Sequence, residues 1–98
     1  MKYYLYILLT NKNTYYCGIA KNPLKRFELH STGKGAKYTR INKPLEIVFL
    51  EEMNSKEEAL KKEYKIKKTL TRKEKIKLIE ENKNKTKELL EKLRTIKV

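Results

Sequence analysis

Five side chains of this sequence carry reactive groups at spacings that could bring them together: Tyr6, Tyr16, Arg26, His30 and Glu63. Phenols and an imidazole donate and accept protons, a guanidinium grips anionic oxygens, and a carboxylate takes a cation. Arg26 and His30 stand four apart, so they are neighbours if they lie on a helix. Glu63 stands four after Ala59 and three before Ile66. It falls inside an apolar stripe, where a charge is costly unless a cation or hydrogen bonds compensate it. Each feature has a plainer alternative. Exposed basic residues on helices are ordinary, and Lys67, four after Glu63, offers it an i,i+4 ion pair.

Separate elements must position these groups. Residues 3–9 and 14–19 are rich in aromatic and large apolar residues around the polar turn Thr10-Asn11-Lys12-Asn13, which predicts an antiparallel hairpin. Alternation sets Tyr4, Tyr6 and Leu8 on one face, Leu5, Ile7 and Leu9 on the other, and Thr14, Tyr16 and Gly18 together on the second strand. A register symmetric about Asn11 places Tyr6 opposite Tyr16, and a slip of one residue would separate them. Gly18 leaves room beside the two tyrosines, unless it marks only a bulge or the strand's end. Cys17, mid-strand, reads as a small buried residue rather than a reactive thiol.

Asn22 caps and Pro23 starts a helix that runs to about Ser31, with Leu24 and Phe27 as its core stripe and Gly33 and Gly35 breaking it. Residues 32–43 read as a loop. In it Lys34, Lys37, Arg40 and Lys43 recur around Tyr38, a pattern suited to phosphate contact and base stacking, or to solubility alone. Pro44 opens a third strand over 45–51, whose run Ile47-Val48-Phe49-Leu50 predicts cover on both faces or a central place in the sheet. Ser55 with Glu58, and Thr71 with Glu74, are capping boxes for two helices, the first reaching about Thr69. Beyond Asn82, Leu89, Leu90, Leu93 and Ile96 recur at helical spacing among charges, to pack on the domain or fray. We therefore expect a domain over residues 1–82 and a charged helical extension over 83–98.

The 98 residues suffice for one modest core, and a 39% hydrophobic share with seven Tyr argues for a folded globule. The net charge of +13, mostly lysine and spread over both halves, attracts polyanions. A Lys and Asn bias of genomic origin would leave the same mark. A single Cys makes no internal disulfide and no Cys/His cluster offers a zinc site. No apolar run approaches the roughly 20 residues that span a bilayer. We expect a cytoplasmic protein with no membrane partner.

The order strand, strand, helix, basic loop, strand, helix, helix, with Tyr4-Leu5-Tyr6 and then Tyr16-Cys17-Gly18, resembles the GIY-YIG nuclease superfamily over about residues 2–82. The stretch 33–40 looks like its small stand-alone branch. The first signature triplet keeps only Tyr6; the second keeps Tyr16 and Gly18. Arg26 matches the family's Arg, His30 its Tyr-or-His position, and Glu63 its metal-binding Glu. One departure stands out: the repair-nuclease branch has a Lys three after the second Tyr, where this chain has Ile19.

The resemblance implies an α/β (α+β) fold, a small three-stranded antiparallel sheet flanked by helices. It implies a divalent-metal-dependent endonuclease that hydrolyses phosphodiester bonds in DNA, in repair or recombination, with RNA left open. Glu63 would hold one Mg²⁺ or Mn²⁺, and Arg26 would offset charge on the phosphoryl oxygens. Tyr6 would be the base, acidified by nearby cations, with Tyr16 and His30 as helpers or alternatives. Gly18 is structural at the site, and Lys34, Lys37, Tyr38, Arg40 and Lys67 face the nucleic acid. Two other functions compete. One is a non-catalytic nucleic-acid-binding module of the same fold; the other is an adaptor docking through the helix near Leu89 to Ile96. A Glu63 far from both phenols, or across the sheet from them, would count against hydrolysis.

Overall fold

The aromatic and branched residues after Lys2 extend into β1 (Tyr3–Thr10), the middle strand of a three-stranded sheet of order β2-β1-β3, in a computed structural model that describes residues 2–34 and 37–96. Both of its neighbours, β2 (Tyr15–Ala20) and β3 (Pro44–Met53), run antiparallel to it. The hairpin register differs from symmetry about Asn11: Tyr6 pairs with Gly18, and Tyr16 with Leu8. The turn is the cause. Thr10 N–H donates to the Thr14 carbonyl at 2.9 Å, and Asn13 adopts a positive φ of 59°, a left-handed conformation that Asn tolerates. The turn therefore centres on Lys12. Each partner moves by two residues, and an even shift leaves both tyrosines on one face.

Alternation then builds two cores. Leu5, Ile7, Cys17 and Phe49 lie on one face beneath Ile66 and Leu70, with Leu78 and Ile79 beside them. Tyr6, Leu8, Ala20, Ile47 and Leu50 lie on the other, beneath Leu24, Phe27, Leu89, Leu90 and Leu93. β3 is covered on both faces but is an edge strand, not the central one. Its continuous apolar run has a local cause: the pairing shifts between Ile7 and Leu8, a bulge that takes Val48 out of register and breaks the alternation.

The helices follow their caps. Asn22 accepts from Lys25 N–H at 3.1 Å and opens α1 (Pro23–Ser31). Residues 32–34, 42 and 43 are irregular, but residues 37–41 close into a short helix, α2 (Lys37–Ile41). Gly35 and Ala36, part of the motif there, lie outside the described residues, as does the side chain of Ile96. Ser55 caps α3 (Lys56–Thr69), and a full capping box of Thr71 and Glu74 starts α4 (Arg72–Glu81). The last helix, α5 (Lys83–Ile96), packs its leucines onto the face that α1 also covers. Buried Thr86 there accepts from Leu50 N–H at 3.2 Å.

Candidate active site

Tyr6 and Tyr16 share a face of the sheet because both occupy even positions of the hairpin. Tyr6 is 3% exposed, and its phenol lies over Gly18. A Cβ at Gly18 would stand 2.5 Å from the Tyr6 hydroxyl, so the room left by this glycine is filled by the phenol itself. From α1, His30 reaches the same place and is 2% exposed rather than surface-borne. Its Nε2 is 3.1 Å from the Tyr6 hydroxyl, and its Nδ1 is 2.6 Å from Thr39 Oγ1 on α2. The Tyr16 ring meets the His30 ring edge-on at 5.2 Å and stacks on Tyr38 at 5.7 Å. Tyr38 in turn donates to Thr14 Oγ1 at 2.7 Å. Residues 37–41 thus do more than carry charge: they brace the imidazole and one of the phenols.

Arg26 and Glu63 approach from different sides. The sequence asks that Glu63 lie neither far from both phenols nor across the sheet from them; α1 covers the face that carries Tyr6, while α3, which carries Glu63, packs on the other. The groups meet around the free edge of β2. The Glu63 side chain, 18% exposed, pairs with Lys67 at 3.1 Å, and the Lys67 ammonium sits 5.7 Å from the Tyr16 ring centre. The fields of both Arg26 and Glu63 reach the Tyr6 hydroxyl. Arg26 is exposed and has no carboxylate partner among the described residues.

These surroundings set the protonation states. Burial pushes the Tyr6 phenol well above its ordinary value; Tyr16, Cys17 and Glu63 add to this and Arg26 opposes it. Loss of water at Tyr6 thus outweighs the lowering that Arg26 exerts. Burial, then Arg26, lowers the pKa of His30. The imidazole is neutral at pH 7, one ring nitrogen donating and the other accepting. Burial also drives the Cys17 thiol up to about 12, which keeps it an uncharged core residue.

No group of three or more His, Cys, Asp or Glu converges among the described residues. Glu63 is the one acidic side chain placed at this edge by the contacts above. A single hard oxygen donor does not suit zinc, but it does suit Mg²⁺ or Mn²⁺, which keep several waters and take phosphate oxygens as ligands. Lys34, Lys37 and Arg40 are exposed, and none has a carboxylate partner among the described residues. Thr39 is the site residue that the sequence did not reveal. A buried threonine between a tyrosine and an arginine, in a stretch without apolar periodicity, carries no signal of its position.

A family model for the GIY-YIG catalytic domain matches residues 2–77, the span that holds all five reactive side chains. A UPF0213 protein of Staphylococcus epidermidis is 48% identical over 80 residues, covering 82% of this chain and 96% of its own. UPF0213 protein YazA of Bacillus subtilis is 42% identical over 82 residues, with 84% and 82% covered. The solution NMR structure of a UPF0213 protein from Bacillus halodurans aligns with a TM-score of 0.56 at 37% identity, covering 85% of this chain and 87% of that one. No helix among the described residues is long and apolar enough to cross a membrane.

Proposed function

This chain belongs to the GIY-YIG catalytic-domain family, and on that premise we propose that it is a divalent-metal-dependent endonuclease that hydrolyses phosphodiester bonds in DNA. The observation that carries this reading is the buried hydrogen bond between the Tyr6 hydroxyl and His30 Nε2, beside the one carboxylate at the β2 edge.

A phenol with a raised pKa is a poor reservoir of phenolate but a good relay. In the tautomer that serves transfer, the Tyr6 O–H donates to His30 Nε2, and His30 Nδ1–H donates to Thr39 Oγ1. As a water oxygen forms its bond to phosphorus, its proton passes to the Tyr6 oxygen while the Tyr6 proton passes to Nε2. The phosphorus–oxygen bond to the leaving strand breaks, and that oxygen takes a proton from solvent. Thr39 Oγ1, accepting from Nδ1–H, holds the imidazole in the accepting tautomer until Nε2 takes that proton. Arg26, without a carboxylate partner among the described residues, offsets charge on the phosphoryl oxygens, where a fixed guanidinium suits the transition state. Glu63 is the side chain that would hold Mg²⁺ or Mn²⁺, and such an ion supplies Lewis acidity at the phosphate and leaving oxygens. Lys67, which pairs with Glu63, would turn its charge to the substrate's phosphates once Glu63 takes the ion. Lys34, Lys37, Tyr38 and Arg40 extend the contact along the strand, and repair or recombination is the cellular setting that nicking of DNA would serve.

Cleavage of end-labelled DNA with Mn²⁺ or Mg²⁺ tests this. Tyr6→Phe should lower the rate by about 10²-fold or more, the usual worth of a positioned proton-transfer group. Undiminished cleavage by Tyr6→Phe would defeat the relay. Salt-dependent binding with no turnover on any substrate would instead identify a binding module of the same fold.

A further inference from the structure

Beside Tyr16, a hollow of about 150 Å³ opens between β2, α3 and α4. Its depth is apolar: Cys17 and Ile66 line it and are 6% and 2% exposed. Tyr15, Tyr16 and Tyr38 also line it, as do Lys67 and Lys75. Lys75 has no carboxylate partner among the described residues, and the Arg72 guanidinium lies over the Tyr15 ring at 4.8 Å.

An apolar floor, phenolic walls and a cationic rim ask for a planar ring that carries an anion at one end. A free metabolite usually fills a cleft of about 300–1,000 Å³. This hollow is smaller, which fits one residue of a polymer held mainly elsewhere. Aromatic walls accept any base by its π-face, and lysines accept the phosphate without reading sequence. The thiol on the floor stays neutral, so it offers apolar surface rather than a nucleophile.

We infer that this hollow is a nucleotide subsite, which takes the base of the nucleotide next to the scissile phosphate between its tyrosines and that nucleotide's phosphate on Lys67 and Lys75. The inference rests on the nuclease reading, since Tyr16 is the wall shared with the reacting groups: its ring meets the His30 ring at 5.2 Å and also lines the hollow. A base seated there has left its stack, so the bond to be cut lies beside an unstacked nucleotide.

The test uses the full chain with divalent ions chelated, so that no turnover is required. The probes are 5′-dAMP and the abasic 2-deoxyribose 5-phosphate, followed by two-dimensional NMR. We expect 5′-dAMP to shift the Cys17 amide and the Ile66 methyl signals, and the abasic compound to leave both in place. Lys75→Ala should weaken 5′-dAMP binding by about fivefold or more, and Lys75→Arg should restore it. Lys73→Ala, an exposed lysine on the same helix, should change it by less than about twofold. Equal binding of both probes without response at Cys17 or Ile66 would overturn the subsite, as would equal losses in Lys73→Ala and Lys75→Ala. A chain that cuts DNA yet shows no such response would lose the subsite and keep the hydrolase. A responsive chain that cuts nothing would keep the subsite and lose the hydrolase.

Discussion

The behaviour of the site depends on a histidine that burial keeps neutral. In the proposed relay His30 accepts a proton, so activity should fall as pH drops below the ordinary 6.5 toward its depressed pKa, and stay level as pH rises past 7. A rate profile for wild type and His30→Gln checks this, since the acid limb should vanish with the imidazole. Stability has the same sign. The unfolded chain binds this proton at a higher pH than the folded one, so His30 contributes stability above about 6.5 that is lost as pH falls toward the folded value. Thr39→Val leaves the buried Nδ1 of His30 without this partner and should cost about 1–3 kcal/mol in denaturant unfolding. Gly18→Ala should cost about 1–3 kcal/mol by overpacking and displace the Tyr6 hydroxyl, which lies 2.5 Å from the added carbon. At this scale the side chains that gather around Tyr6 and Tyr16 were legible as candidates, because their types and spacing mark them. Thr39 was not, since its role comes from a fold-back that no periodicity encodes.

The elements show which local signals decide structure. Capping residues placed the starts of α1, α3 and α4 because a side-chain acceptor for an orphan N–H acts over three residues and needs no tertiary context. The hairpin register escaped a symmetric guess because it is set by Asn13's left-handed φ. β3 looked central because a bulge broke its alternation, which sequence cannot separate from burial in mid-sheet. α5 is the element whose placement matters most for the competing adaptor function. Its Leu89, Leu90 and Leu93 are packed against the core that contains Tyr6, and so are already occupied. Thr86→Val should cost about 1–3 kcal/mol, since it leaves the Leu50 N–H unpaired inside the protein. Removing residues 83–98 should lower the melting temperature, whereas a detachable adaptor helix would leave it unchanged.

For the whole molecule, a charge of +13 meets three carboxylate–lysine pairs among the described residues, so most of the field is free to act outward. Association with DNA should weaken steeply with salt, each phosphate neutralised by the protein steepening the log–log slope by about 0.9 on duplex. Such a field gathers polyanions without choosing a bond to cut. On the proposed reading the choice comes from the β2 edge, where α1 and α3, from opposite faces, meet one pair of phenols. That convergence was not legible in the linear order, because helices on different faces can meet only where a sheet ends. The most direct measurement is Mn²⁺-dependent cleavage of labelled DNA by the wild type and by Glu63→Gln, with matching circular dichroism to show both folded. A loss of about 10²-fold or more in Glu63→Gln, with DNA binding retained, is the predicted result. Equal cleavage by the two proteins would contradict it.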